Sequence, residues 1–250
     1  ANSLEPFSFF SPELQKALRL DAQDVKENKA LQEGHGVTAI MTNPPFGSKI
    51  PIEDPAILET FDLGHSWSYV EDDFEWAMDS KLVSRPPEIL FIERCIRLLE
   101  PGVGVAALVI PNGILGNPGL GYVRQWILRH AKILGSIDMH PDAFQPNVGV
   151  QTSVLVLRRW DRDEEAYCKD GTFQDYKIFM AICDHVGHDK RGQTTYVRDD
   201  EGYPIVREQT TAVTGIVASD EESEHASKER VVDDETMAIA DAFLEWRRDQ

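Results

Sequence analysis

Three cysteines in 250 residues, Cys95, Cys168 and Cys183, are too few and too widely spaced for a disulfide framework or a Cys/His metal knuckle. They read as core or surface thiols. Long apolar runs are missing too: the longest, Val103 to Pro111, is strand-sized, well short of the ~18–20 residues that cross a bilayer. The opening ANSLEPFSFF has neither the basic start nor the apolar stretch of a secretory signal, so the expected setting is cytoplasmic, with no membrane partner. Positive charge is scarce. Lys and Arg number 25 against 43 Asp and Glu, a formal net charge of −18. Affinity for nucleic acid rests on cationic contacts to phosphate, so this balance argues against a free-standing nucleic-acid binder. The deficit is steepest near the end, with 15 acidic and 5 basic residues from Asp199 onward. If nucleic acid is the substrate, another domain or subunit supplies much of the grip. No internal repeat is present.

Apolar residues make up 42% of the chain, enough for a sizeable α/β core. PELQKALRLDAQDVKENKALQEG reads as one or two polar helices ending at Gly34. VTAIMT, from Val37 to Thr42, is a short apolar strand, and residues 48–83 read as a long loop rich in Pro, Asp and aromatics. Pro86-Pro87 opens a helix whose stripe is Ile89, Leu90, Ile92, Ile96 and Leu99, and Pro101-Gly102 stops it. VGVAALVIP is a buried strand, LGYVRQWILRHA a second amphipathic helix, ILGSIDMH and TSVLVLRRW two more strands. Alternating strands and helices predict a parallel α/β sheet, and the last two strands, joined without a helix, are expected to pair antiparallel at its edge. Beyond Asp161, KIFMAICDHV is strand-like, and TTYVRD with YPIVRE could form a hairpin. The expected organisation is a catalytic-domain portion over 1–160, a β-rich extension over 161–206, an acidic linker or disordered loop over 207–232, and a closing helix over 233–250.

Asn43-Pro44-Pro45-Phe46 follows the first apolar strand directly, at the carboxyl end of a sheet strand, where open α/β folds bind ligands. Proline after Asn43 pushes it to an extended conformation, and two prolines stiffen the turn and remove two donors. What remains is a rim of acceptors, the Asn43 side-chain oxygen and the Pro44 carbonyl, beside the aromatic face of Phe46. Such a rim suits a planar amine with two hydrogens: holding both N–H bonds favours a pyramidal nitrogen and stabilises the charge that develops as the nitrogen attacks. Phe46 could stack on a base, and a base in duplex must be flipped out to reach such a pocket. Alone, the tetrapeptide is equally compatible with a plain turn; its place after VTAIMT and before Gly47 favours the site.

IMTNPPFGSKI resembles the catalytic motif of amino-group DNA methyltransferases, in which Asp, Asn or Ser precedes Pro-Pro and an aromatic. The resemblance is closer to adenine-N6 methylases of the kind found as modification subunits of type I restriction–modification systems. It continues through EILFIERCIRLLEPGVGVAALVIPNGILGN, LGYVRQWILRHAKILGSIDMHPDAFQPNVGVQTSVLVLRR and FMAICDHVGHDKRG, from about Thr38 to Arg191. It implies a Rossmann-like S-adenosylmethionine-dependent methyltransferase sheet, with an antiparallel edge hairpin and a small α+β C-terminal extension. It implies double-stranded DNA as partner, together with a specificity or target-recognition subunit. It assigns the target amine to Asn43 and the Pro44 carbonyl, stacking on the flipped adenine to Phe46, and the base's other face to Phe144; Phe144 could equally be a core anchor of its loop. The family's glycine-rich donor-binding loop is not found before Asn43. Gly102 and Gly104 do not replace it, because they follow a helix and precede a strand. Ala1-Asn2-Ser3-Leu4 is similar to a family segment whose acidic residue contacts the donor's adenine; Asn2 stands there, as a donor contact or as an ordinary terminus. The first strands of the sheet and the donor pocket are therefore expected upstream of residue 1, and the isolated chain is expected to be inactive.

Other residues carry weaker signals. Gly187-His188-Asp189-Lys190-Arg191-Gly192 is a solvated turn or a DNA-backbone contact. His65, Trp67 and Tyr69 fall in the long loop, which could close over substrate. Asp138, His140 and Asp142 alternate near a strand end but have no fourth partner, and no metal is expected. Cytosine N4, guanine N2 in RNA and a protein glutamine amide present the same planar amine as adenine N6. A non-catalytic module that binds a specificity subunit or DNA is the alternative outside catalysis.

Overall fold

The structure, a computed structural model, describes residues 3–27, 31, 34–46, 51–146, 149–169, 175–211 and 225–250. Helix starts follow local capping chemistry. The Ser11 hydroxyl accepts from the Leu14 backbone N–H ahead of α1 (Pro12–Ala17), and the Asp21 carboxylate accepts from Gln23 and Asp24 ahead of α2 (Ala22–Glu27). Strand β1 (Ala39–Thr42) stops at Asn43-Pro44-Pro45, since proline has no N–H to extend a ladder. Next come α3 (Pro55–Leu58), β2 (His65–Val70), β3 (Glu75–Leu82) and α4 (Pro87–Leu98). Pro87 occupies a first-turn position of α4, where its missing N–H costs nothing. The chain continues through β4 (Val105–Pro111), α5 (Asn112–Gly116), α6 (Gly121–His130), β5 (Ala131–Asp138), β6 (Thr152–Arg159) and α7 (Arg162–Lys169). It ends with β7 (Phe179–Ile182), β8 (Val206–Thr211), β9 (His225–Arg230) and α8 (Thr236–Arg248).

Contacts group the chain into two units, one of Ala1–Asp138 with Thr152–Ala181, the other of Met139–Gln151 with Ile182–Gln250. The sequence boundary at 160 differs from this division, because α7 packs on α6 and stays with the first unit. The first unit holds a five-stranded sheet in the order β1-β4-β6-β5-β7. β1 and β4 are parallel, joined through α4, and β6 is antiparallel to both β4 and β5. β4 and β5 therefore run the same way, joined through α6. These two crossovers are the α/β arrangement the sequence leads one to expect. The β5–β6 pair is antiparallel as expected, but it is not the edge: β6 inserts between β4 and β5, and β7 lies outside. Ser153, Leu155, Leu157 and Arg159 of β6 are all buried in alternation, so one face of the inserted strand is covered along its length.

One sheet face carries the core. Ala106, Leu108 and Ile110 of β4 and Leu155 and Leu157 of β6 pack with Ile89, Ile92 and Ile96 of α4 and Val123, Trp126 and Ile127 of α6. On the other face Val105, Ala107, Val109, Val154 and Val156 are only half-buried, and Met41 of β1 is 88% exposed.

Residues 48–83, expected as a loop, contain structure. α3 and the antiparallel β2–β3 hairpin occupy much of the stretch, with Val70 opposite Glu75 and Tyr69 opposite Trp76. Alternation is hard to see in the sequence because most of β3 is exposed. The hairpin is held by its neighbour instead. Gln125 of α6 accepts from the Trp76 N–H and donates to the Trp76 carbonyl, both at 2.8 Å. A Cβ at Gly121 would stand 2.6 Å from the Trp76 indole nitrogen, so only glycine lets α6 approach the hairpin this closely.

In the second unit, Val206 to Thr211 pairs antiparallel with Arg230 to His225, so β8 and β9 extend into the stretch whose composition suggests an acidic linker. The TTYVRD and YPIVRE segments meet at Arg198 and Pro204, with Asp199 N–H donating to the Tyr203 carbonyl. α8 closes the chain with no buried residue. Among the described residues no helix is long and apolar enough to cross a membrane.

Candidate active site at the carboxyl ends of the strands

β1 delivers Asn43 to the carboxyl end of the sheet, just beyond the pairing of Thr42 with Leu108. Pro44 is buried, Phe46 is half-buried, and Asn43 and Pro45 are exposed. The buried Pro44 ring anchors the turn and leaves the Asn43 amide facing solvent. Among the described residues nothing hydrogen-bonds to that amide, so its oxygen is open to a donor from a ligand. β4 and β5 reach the same end, through Asn112 after Pro111 and through Asp138. β6 starts there, with Thr152 opposite Pro111 and Ser153 opposite Asp138. The Asn112 amide nitrogen donates to Asp138 Oδ1 at 2.7 Å, and the Ser153 hydroxyl donates to Asn112 Oδ1 at 2.7 Å. Sequence reading passed over Asn112 and Ser153. The available signal was their position at strand ends beside the Asn43 strand, which needs the strand order to be seen.

The other sequence candidates fall as follows. Phe144 is half-buried in the segment Met139–Gln151, which packs with the second unit. Asn2 lies outside the described residues. Shortly after it, the carbonyls of Leu4 and Glu5 accept from Arg94, a guanidinium only 2% exposed that lies over the Phe7 and Phe61 rings. Burial, reinforced by the neighbouring Arg97, pulls Arg94 down to about 10, still charged at neutral pH. Gly102, at φ +76°, and Gly104 form the turn between α4 and β4. His65 donates through Nδ1 to the Phe61 carbonyl, and Trp67 stacks on Tyr122; both hold the hairpin. Lys190 and Arg191 are exposed on a turn whose N–H groups bond Asp189. Asp138 is engaged by Asn112. Among the described residues one trio of possible ligands converges, Asp21, Asp24 and His35; there the carboxylates cap α2 and Asp24 Oδ2 meets His35 Nδ1 at 2.6 Å.

A cavity of about 600 Å³ is at the opposite end of the sheet, where α4, α6 and β6 finish. Trp67, Trp76 and Trp126 line it with Arg97, His130 and Glu165. Its charges are largely paired within the protein: Arg129 with Glu75 at 2.7 Å, Arg97 with Asp62 at 3.3 Å and with Glu93. Burial drives His130 down to about 4, so it is neutral at pH 7, and drives Glu93 up to about 6. This end is a network of charges paired within the protein, and the open amides are at the other.

Residues 15–190 match the N-6 DNA Methylase family, and the chain belongs to that family. Among solved structures it is similar to a protein described as a class I S-adenosylmethionine-dependent methyltransferase from Listeria monocytogenes, at 19% identity and a TM-score of 0.43, over 64% of this chain and 40% of that one. It is also similar to a protein described as the modification subunit of a type I restriction enzyme from Vibrio vulnificus, at 24% identity and a TM-score of 0.38, over 52% of this chain and 24% of that one. The type I restriction enzyme EcoKI M protein is similar at 21% identity and a TM-score of 0.34, over 50% of this chain and 21% of that one. The chain thus spans less than half the length of each of these structures. No curated protein matches it.

Proposed function

We propose that this chain carries the acceptor side of a DNA adenine-N6 methyltransferase that uses S-adenosylmethionine and works within a restriction–modification system, with a specificity subunit supplying much of the hold on DNA. The observation that carries this reading is the Asn43 amide, exposed and unbonded among the described residues, on a buried Pro44 at the carboxyl end of β1 in a chain of the N-6 DNA Methylase family. Asn43 Oδ1 and the Pro44 carbonyl accept the two hydrogens of the adenine amine. Phe46 stacks on the flipped base. The amine lone pair forms the new N–C bond as the donor's C–S bond breaks, and the nitrogen then loses a proton to solvent. Held acceptors stabilise the charge on nitrogen at the moment it forms. No glycine-rich strand-to-helix turn occurs among the described residues, so the donor's seat is assigned to the rest of the enzyme. The isolated chain is accordingly expected to bind S-adenosylmethionine weakly; a low-micromolar dissociation constant by calorimetry would refute that.

The test is transfer of labelled methyl groups to unmodified genomic DNA. This chain alone is compared with the complete enzyme, each with and without Asn43→Ala. Label on adenine N6 from the complete enzyme alone, abolished by Asn43→Ala, is the expected result. A complete enzyme that binds donor yet leaves DNA unlabelled, with its specificity partner present, would overturn the assignment in favour of an RNA or protein amine or a binding role.

A further inference from the structure

The rim that carries Asn43 carries a second amide, and its orientation is determined. Asn112 lies between a hydroxyl and a carboxylate, Ser153 and Asp138, each at 2.7 Å. An ionised carboxylate only accepts, so the amide nitrogen must face Asp138 and the amide oxygen Ser153; the flipped amide would set two acceptors against each other. An amide nitrogen has two hydrogens, and only one goes to Asp138. The second has no acceptor among the described residues. Asn112 is half-buried and directly follows Pro111, the last residue of β4, the strand beside β1. At the same end, Thr152, opposite Pro111, is 1% exposed and its hydroxyl is buried without a partner among the described residues.

We infer that Asn112 reads the target base, its second amide hydrogen donating to the ring nitrogen beside the target amine, which is N1 in adenine. Asp138 and Ser153 are positioning residues that hold the amide in this direction. The inference rests on the acceptor-site assignment above. A base flipped out of the duplex loses the partner that donated to N1, and a buried acceptor left without a donor is disfavoured. Asn43 Oδ1 and the Pro44 carbonyl are both engaged as acceptors of the amine in this reading, and the donor to the ring nitrogen is assigned to Asn112, which directly follows the adjacent strand. The same donor suits cytosine N3. It opposes guanine, whose Watson–Crick edge presents N1–H beside the amine, a second donor.

The experiment uses the complete enzyme with its specificity partner on duplexes bearing adenine or 1-deazaadenine at the target position. 1-Deazaadenine keeps the amine and replaces N1 by C–H. Wild type is expected to lose about tenfold in kcat/KM on 1-deazaadenine, the scale of one well-placed hydrogen bond. Asn112→Ala should lose about as much on adenine and nothing further on 1-deazaadenine. The readout is a ratio of two substrates on one preparation, so a reduced folded fraction cancels. Ser153→Ala, which keeps the donor and frees its orientation, should lose less on adenine while retaining part of the preference for N1. If Asn112→Ala discriminates between the two bases as wild type does, Asn112 does not read N1 and the inference fails. If wild type leaves ordinary adenine unmethylated, it is the acceptor-site assignment that fails.

Discussion

Replacing Arg97 by methionine strands a carboxylate that cannot reach water. Glu93 is 0% exposed, accepts from the Asp62 and Leu63 N–H groups at 2.8 Å each, and has Arg97 as its ionic partner. Burial raises it from the ordinary 4.5 to about 6, with Arg97 pulling against that rise. A carboxyl whose folded value exceeds its unfolded one contributes most stability below the unfolded value and loses it as pH climbs through the folded value. With Arg97 present the ionised Glu93 therefore already costs about 2 kcal/mol above pH 7. Without Arg97 the carboxyl holds its proton to higher pH, and the further cost is capped by the work of protonating it. From a starting value of about 6 that work is about 2 kcal/mol at pH 7.5 and about 0.2 kcal/mol at pH 5.5. Loss of the Arg97 contacts to Asp62 and the Thr60 carbonyl adds about 1 kcal/mol at either pH. Relief of the repulsion Arg97 exerts on Arg94 and Arg159 offsets part of this equally at both. His130, neutral with a value of about 4, stays outside the window. Urea denaturation followed by tryptophan fluorescence should show Arg97→Met destabilising by ~2 kcal/mol more at pH 7.5 than at pH 5.5. With Glu93→Gln added, that pH dependence should vanish. Equal destabilisation at the two pH values, or a larger one at pH 5.5, would show that Glu93 is not held by Arg97 in this way.

Phe74, at the tip of the β2–β3 hairpin, has φ of +56° and is 82% exposed. Phe74→Asn should stabilise by about 1 kcal/mol, because asparagine tolerates the left-handed region, and raise Tm by about 2–4 °C for a chain of this size; an unchanged or lower Tm would contradict the assigned backbone. Burial pushes the Cys95 thiol up to about 12, so native protein at pH 8 should take up thiol reagent at Cys95 no faster than it opens, and peptide mapping that finds prompt native labelling there would place the residue elsewhere than in the core.

Much of the architecture was written locally. Pro86-Pro87 ahead of an apolar stripe specifies α4, and the two prolines after Asn43 specify where β1 ends, because each acts on its own few residues of backbone. The same holds for the turn Asn43-Pro44-Pro45-Phe46, whose polar groups and stiffness belong to four consecutive residues. The buried charges of α4 were not legible in this way. Glu93, Arg94 and Arg97 lie off the apolar stripe, yet all three are buried, because the chain from Leu4 to Leu63 brings carbonyls and N–H groups over them. The hairpin over 65–82 was hidden for a related reason: its order comes from Gln125 and Gly121 on α6, far along the chain.

What the sequence determined by itself is therefore the kind of most core elements and the composition of the turn after β1, since period, caps and prolines are read over neighbouring residues. Only the tertiary structure decided that β6 passes between β4 and β5. That placement brings Ser153 to Asn112 across 41 residues, and the strand ends bring Asn112 to Asp138 across 26. The amide that follows β4 is oriented by partners that no local pattern announces, because a hydrogen bond between strand ends depends on the path of the chain.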